Sequence, residues 1–345
     1  MHSAPRRPFR SHTVSLTLAA TLFSACADEP TSSTSLVPDK PVLATDGLGT
    51  WSIKAPIPTL RGGMAGAVIQ NASGQYLFYT IGGGTGSNSP MRRVEAYNAA
   101  TDKWYRKANL PVDRAFASAA TINGKIYLVG GVNLTNTITK KLYVHDPVSN
   151  IWTEKASLPE GSIHAISGVI GGKLYLYTSP VLHSTSQRLY RYNPTTNEWV
   201  RRANPPHNHN GGIGGVINGK LYIAWGHSDA TDVYDPVTNS WSTAIAETPD
   251  CYGDDLIDCS IHDAGSAVLR NQLYSIGGGQ DDEIIGTGAY DPITNLWGRK
   301  APTRYERDGR PLAGAVRNAA GQPRIVVVGG QDDFGAITVT EMYAP

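Results

Sequence analysis

The feature that most constrains this chain is a turn followed by a tryptophan, which recurs. NAATDKW ends at Trp104, DPVSNIW at Trp152, NPTTNEW at Trp199, DPVTNSW at Trp241 and DPITNLW at Trp297. An apolar run accompanies each unit: QYLFYTIGGG, KIYLVGG, KLYLYTS, KLYIAWG, QLYSIGGG and RIVVVGG. A short run of Ile, Tyr, Leu and Val reads as a strand covered on both faces. The NGK before two of these runs is a two-residue hairpin signal. The glycines that close most of them let the chain leave sharply, because glycine takes positive φ at no steric cost. In the later turn, Asp caps the backbone, Pro sets φ and Asn tolerates the left-handed region. Units of this kind bury their faces against copies of themselves, so repetition here dictates architecture.

Six apolar runs stand against five turn-plus-Trp copies. The sequence ends at Glu341-Met342-Tyr343-Ala344-Pro345, where a further turn would begin, while Trp51 stands near the start with no turn before it. The expectation is that the strand carrying Trp51 completes the unit built by the C-terminus. The tryptophan spacings from Trp51 onward are 53, 48, 47, 42 and 56 residues. With the paired glycines, the NGK turns and the Tyr-Asp-Pro-x-Thr-Asn-x-Trp pattern, they resemble kelch repeats, whose period is about fifty residues. The resemblance runs from Trp51 to Pro345 and implies an all-β, six-bladed kelch-type β-propeller, closed by an N-terminal strand in its last blade. Kelch propellers include protein-binding scaffolds, sugar-acting enzymes and copper oxidases, so the fold does not carry the activity.

Charged residues make up 17% of the chain and glycines number 37, which suits many tight turns and no long helices. Residues 1–25 read as a signal peptide of lipoprotein type: Arg6, Arg7 and Arg10 open it, an apolar run follows, and LFSAC ends on Cys26. LFSAC resembles the lipobox of bacterial lipoproteins, although Phe23 stands where Leu is usual, and an ordinary signal peptide is the alternative. Residues 26–50, rich in Ser, Thr, Pro and Asp, read as a disordered tether. Residues 51–345 are then a single propeller, exported to a bacterial cell envelope and lipid-anchored there on the periplasmic or outer side. Removing residues 1–25 takes the formal charge from +1 to −2, because three arginines and no acids leave with them. That balance argues against nucleic acid or an anionic membrane surface as the partner. A monomer is expected.

Of the three cysteines, Cys26 is the lipidation candidate. Cys251 and Cys259 form an even pair in CYGDDLIDC and read as a disulfide in an exported protein. A metal reading of that pair with His262 and Asp263 lacks a recurrent zinc spacing. His207 and His209 sit in one polar loop with no acid beside them, so no metal and no cofactor are expected there. A Ser-His-Asp elbow, a phosphate-binding glycine loop and a zinc-protease motif are all missing from the sequence.

The first strand of each unit is made of small residues (AGAV, ASAAT, AISGV, GGIGGV, AGSAV, LAGAV), as the crowded axis of a propeller requires. Aligning the loops that enter those strands brings Arg61, Arg114, His164, His209, His262 and Arg310 to the mouth of the central channel as ligand-binding candidates. The loops after the second strands add Arg92, Arg93, His183, His227 and the acidic stretches at 281–283 and 332–333. A ring of Arg and His suits carboxylates or hydroxylated ligands, held by forked, charge-assisted hydrogen bonds. For any single arginine the structural alternative is a bond to neighbouring carbonyls. Two functional classes follow. One is a non-catalytic binding module for a glycan or protein ligand at the channel mouth. The other is an exported sugar-acting enzyme, since an exported six-bladed kelch protein is similar in outline to bacterial sialic acid mutarotases. No catalytic residue is assigned, because the sequence places no acid/base pair.

Overall fold

Six four-stranded antiparallel sheets are arranged in order along the chain. In blade 1 the strands are Ala65–Gln70, Tyr76–Ile81, Val94–Asn98 and Lys103–Arg106. Blade 2 has Ser118–Ile122, Lys125–Val129, Leu142–Asp146 and Ile151–Lys155. Blade 3 has Ile163–Ile170, Lys173–Ser179, Arg188–Asn193 and Glu198–Arg201. Blade 4 has Ile213–Ile217, Lys220–Ala224, Thr231–Asp235 and Ser240–Ala244. Blade 5 has Gly265–Leu269, Gln272–Ile276, Thr287–Asp291 and Leu296–Lys300. Blade 6 has Leu312–Arg317, Pro323–Val328 and Thr340–Ala344, and its outer strand is Thr50–Lys54 from the other end of the chain. The computed structural model describes residues 47–85, 89–179, 186–228, 230–244, 263–278, 286–307, 309–332 and 335–345. The signal peptide, Cys26, most of the tether, Cys251, Cys259, His262, His183, the acidic stretch at 281–283 and Asp333 lie outside them.

Burial within a blade follows strand position. Second strands such as Lys125–Val129 are buried from Ile126 onward, whereas outer strands such as Lys103–Arg106 are mostly exposed. In blades 2 to 5 the hairpin between first and second strands turns on two left-handed residues, for example Asn123 and Gly124 at φ 49° and 73°. First strands pack on the first strands of both neighbouring blades, and the strand of blade 1 meets that of blade 6, which closes the ring. Small residues are obligatory there: a Cβ added to Gly215 would stand 2.3 Å from Val268 of the next blade. Hydroxyls bridge the same strands, with Thr121 Oγ1 donating to the Val68 carbonyl at 2.8 Å and Ser118 and Ser167 paired at 2.9 Å.

The tryptophans stitch each blade to the one before it. Trp104, Trp152, Trp199 and Trp241 donate Nε1–H to the carbonyls of Ala55, Ala108, Ala156 and Ala203 at 2.8–3.0 Å. The same alanines donate their N–H to the turn residues Asp102, Asn150, Asn197 and Asn239 at 2.9–3.1 Å. Each of those turn residues is left-handed, with φ between 54° and 58°. In blades 1, 3 and 4 the same side-chain oxygen also accepts from the third-strand tyrosine, Tyr97, Tyr192 or Tyr234, at 2.7–2.8 Å.

At the seam a backbone carbonyl stands where the turn side chain does in the other blades. Trp51 lies opposite Tyr343 in register and donates to the Ala301 carbonyl at 2.8 Å. The Leu48 carbonyl accepts from both Ala301 N–H and Tyr343 Oη–H, which are the two donors a turn Asn satisfies elsewhere.

Candidate functional site

Each blade enters its first strand through one left-handed residue, and the six form the rim of the channel. They are Gly63, Phe116, His164, Gly211, Asp263 and Arg310, with φ of 61°, 56°, 50°, 77°, 60° and 48°. Backbone bonds run between them around the rim: Phe116 N–H to the Gly63 carbonyl at 2.8 Å, His164 to Phe116 at 3.4 Å, Asp263 to Gly211 at 2.7 Å and Arg310 to Asp263 at 2.9 Å. Four of the six residues are not glycine, and a left-handed conformation costs each of them roughly 1–3 kcal/mol. The belt of inter-blade bonds holds them there. Strain of this kind gathers where a side chain has to be aimed.

The side chains on this belt converge. Arg310 of blade 6 crosses to blade 3, where its Nη1 lies 2.6 Å from His164 Nε2. On the way its guanidinium lies 4.6 Å from the ring centre of Phe116, and its Nε meets Asp263 Oδ1 at 3.0 Å. A guanidinium only donates, so His164 Nε2 is the acceptor and its proton sits on Nδ1. Phe116 also meets the His164 ring edge-on at 5.4 Å and covers Gly63, where a Cβ would stand 2.3 Å from the Phe116 ring. Arg310 and Asp263 keep 30% of their side-chain surface exposed. Beneath them lies a channel of about 370 Å³, lined by the small residues of the first strands.

Among the described residues, the channel mouth therefore holds two of the sequence candidates, His164 and Arg310. Arg61, Arg114 and His209 belong to a buried layer behind it, and this corrects the expected rim. The rim positions of their blades are Gly63, Phe116 and Gly211, two residues further on. Blade 6 keeps both layers separate, with Arg307 buried and Arg310 at the mouth. Arg61 is fully buried and bonds Glu95 at 2.5 Å and Thr80 Oγ1 at 2.8 Å. Arg307 is equally buried and bonds Glu341 at 2.9 Å. Burial lowers the pKa of both guanidinium groups, and the adjoining glutamates oppose it. Arg114 is buried facing Tyr143, which stands where the other two blades have a glutamate, and burial lowers its pKa as well. In the outer loops, Arg92 pairs with Asp113 at 3.2 Å.

Sequence reasoning missed Phe116 as a rim residue, Asp263 as the partner of Arg310, and the left-handed belt. The usable signal was position: each rim residue stands two places ahead of one equivalent first-strand position, Ala65, Ser118, Ile166, Ile213, Gly265 or Leu312.

Blade 4 departs from the repeat. His209 occupies the buried position of Arg61, and its Nε2 lies 3.1 Å from Asp232, the counterpart of Glu95. Its Nδ1 lies 2.8 Å from the Trp225 carbonyl. His207 Nδ1 approaches the other oxygen of Asp232 at 2.9 Å. Asp232 is fully buried; its desolvation is outweighed by bonds to His209, His207 and Thr243, which hold its carboxyl below the usual range. Sequence spacing could not pair Asp232 with the two histidines, because it comes from the third strand.

Fold and rim define a six-bladed, all-β propeller. The kelch motif model matches residues 72–111 and 113–159. A stretch of 85 residues is 35% identical to beta-scruin of Limulus polyphemus, covering 23% of this chain and 9% of that protein, so the chain matches under a tenth of that relative's length. These matches support a kelch-repeat family. Among solved structures, the fold is similar to the one described as "Structure of YjhT", with a TM-score of 0.65 and 15% identity over 83% of this chain and 95% of that one.

Proposed function

We propose that this kelch propeller is an exported, lipid-anchored binding module that takes a glycan or protein ligand at the channel mouth. The carrying observation is Arg310, held at the rim by Asp263, His164 and Phe116 and still partly open to solvent. A ligand carboxylate or vicinal hydroxyl pair can exchange for Asp263 or His164 on the guanidinium fork, which suits planar, bidentate partners. The polar rim also opens over a concave channel of about 370 Å³ lined by small residues, which gives a ligand room at the mouth. A glycan array probed with the Cys26→Ser protein tests this, followed by calorimetry of Arg310→Ala against any hit. Unchanged affinity in that variant moves the ligand away from the mouth.

The anchor is a separate part of the reading and rests on LFSAC. Cys26→Ser is expected to release the protein from membranes and to remove acyl mass from the mature N-terminus. An unacylated terminus in the parent overturns it.

One observation favours a second reading, a sugar-acting enzyme of the mutarotase type. His164 and Asp263, the imidazole and carboxylate that such chemistry needs, both contact Arg310 at the rim. Optical rotation of anomerically pure sugars with and without the protein separates the two readings.

A further inference from the structure

We propose that blade 4 carries a divalent metal site of the zinc class, formed by His207 Nδ1, His209 Nε2 and the carboxylate of Asp232. The three ligand atoms lie within 4.8 Å of one another. His207 Nδ1 lies 2.9 Å from Asp232 Oδ1 and His209 Nε2 lies 3.1 Å from Oδ2, a few tenths of an ångström inside the roughly 3.3–3.6 Å that separates ligands about 2.0–2.2 Å from one zinc ion in a tetrahedron, so a small opening of the cluster admits the ion.

Arg61 with Glu95 and Arg307 with Glu341 form buried pairs whose guanidinium donors also reach neighbouring oxygens. Blade 4 replaces both partners with shorter residues, His209 and Asp232. The Trp225 carbonyl can only accept, so it fixes the proton of His209 on Nδ1. Nε2 then faces Asp232 Oδ2 at 3.1 Å. That contact needs a cation between the nitrogen and the oxygen, a proton or a metal ion, and a metal ion converts it into coordination. A metal-bound histidine characteristically donates its other ring N–H to a carbonyl or carboxylate, which is the role Trp225 plays here. Thr243 Oγ1 donates to Asp232 Oδ1 at 2.9 Å and orients the carboxylate in the same way.

Trp225 adds an independent sign. Blades 1, 2, 5 and 6 have glycine at its position, Gly82, Gly130, Gly277 and Gly329, at φ between 61° and 73°. Trp225 adopts φ 65° although it is bulky, with its ring buried and 4.9 Å from that of Trp297. Strain is thus accepted at the residue whose carbonyl orients His209. His207 keeps 41% of its side chain exposed and borders a cavity of about 420 Å³ that also touches Gln187, Asn204 and Asn208. The ion would have an entry path and room for a fourth ligand, the arrangement of an open zinc site.

The test is calorimetric titration of zinc chloride into the chelator-stripped full chain, without an affinity tag. One zinc ion per chain is expected. His207→Ala, at a partly exposed position, should weaken binding at least a hundredfold while melting with the metal-free parent. Thr243→Val, which changes only the orienting hydroxyl, should weaken it ten- to a hundredfold. The cobalt(II) form should show visible d–d bands without a thiolate charge-transfer band. Failure to take up stoichiometric zinc overturns the proposal. Full affinity in His207→Ala, or a thiolate band, also overturns it and moves the ion to Cys251 and Cys259.

Discussion

Arg310 and His164 stand on opposite blades of the ring, 146 residues apart, and meet at 2.6 Å over the channel. One side chain thereby spans the mouth of the propeller, flanked by Asp263 and Phe116.

Arg310→Gly separates backbone from side chain at that point. Glycine is unstrained at φ 48°, so the relieved left-handed strain, about 1 kcal/mol, offsets much of the lost side-chain contact. The melting temperature is expected to stay within a few degrees of the parent. Affinity for a mouth ligand should fall by about 1.5–3 kcal/mol, as for loss of a charge-assisted hydrogen bond. Calorimetry paired with a thermal melt reads both.

Trp51→Ala should cost about 3–5 kcal/mol, since Trp51 is 93% buried, stacks on Tyr343 and donates to Ala301. Trp51→Phe keeps most of the burial and should cost less, the Ala301 bond accounting for about 1 kcal/mol. Chemical denaturation checks the order. A Trp51→Ala variant as stable as the parent would show that the seam does not hold the ring closed.

His145 stands where blades 1, 3 and 4 have the tyrosine that bonds the turn, and it reaches Asn150 at 3.2 Å. Burial is the dominant cause and lowers its pKa below the ordinary 6.5. The unfolded chain therefore binds the proton more readily. The contribution of neutral His145 is complete above about pH 6.5, is lost as pH falls below that value, and levels off under the folded pKa. His145→Tyr should remove this component and stabilise the blade at every pH, because its buried Nδ1 has no partner and tyrosine supplies the repeat's own bond. Melting curves at pH 7.5 and 5.5 should show a larger drop for the parent than for the variant.

Glu95→Ala leaves the Arg61 charge buried without its counterion and should destabilise the protein by about 3–5 kcal/mol. Arg61→Met combined with Glu95→Leu should cost far less, because no buried charge is left unpaired. Urea titration of both variants distinguishes this structural role from a ligand contact. If the double variant also keeps its affinity for a mouth ligand, Arg61 takes no part in binding.

Much of the propeller was readable from local chemistry. Five turn-plus-Trp copies and six apolar runs specify strands, hairpins and blade number, because a two-residue turn or a run covered on both faces needs only adjacent residues. The small first strands marked the axis for the same reason. Rim composition was read less well. Alignment on basic residues mixed two layers, one that fills the blade interior with Arg61, Arg114 and His209, and one that lines the channel with Gly63, Phe116 and Gly211. Two residues separate the layers in blade 1 and three in blade 6, so the aligned arginine of blade 6, Arg310, lies at the mouth and that of blade 1, Arg61, lies in the interior.

The sequence by itself determined the repeat, its turns and the tryptophan of every outer strand, since each is encoded within one unit of about fifty residues. Only the tertiary structure decided what depends on ring closure. It brought Arg310 against His164, placed Asp232 between His207 and His209, and let the Leu48 carbonyl stand in for the turn side chain at the seam. The physical reason is that these contacts join residues from different strands or blades, and their geometry is set by how the sheets pack around the axis.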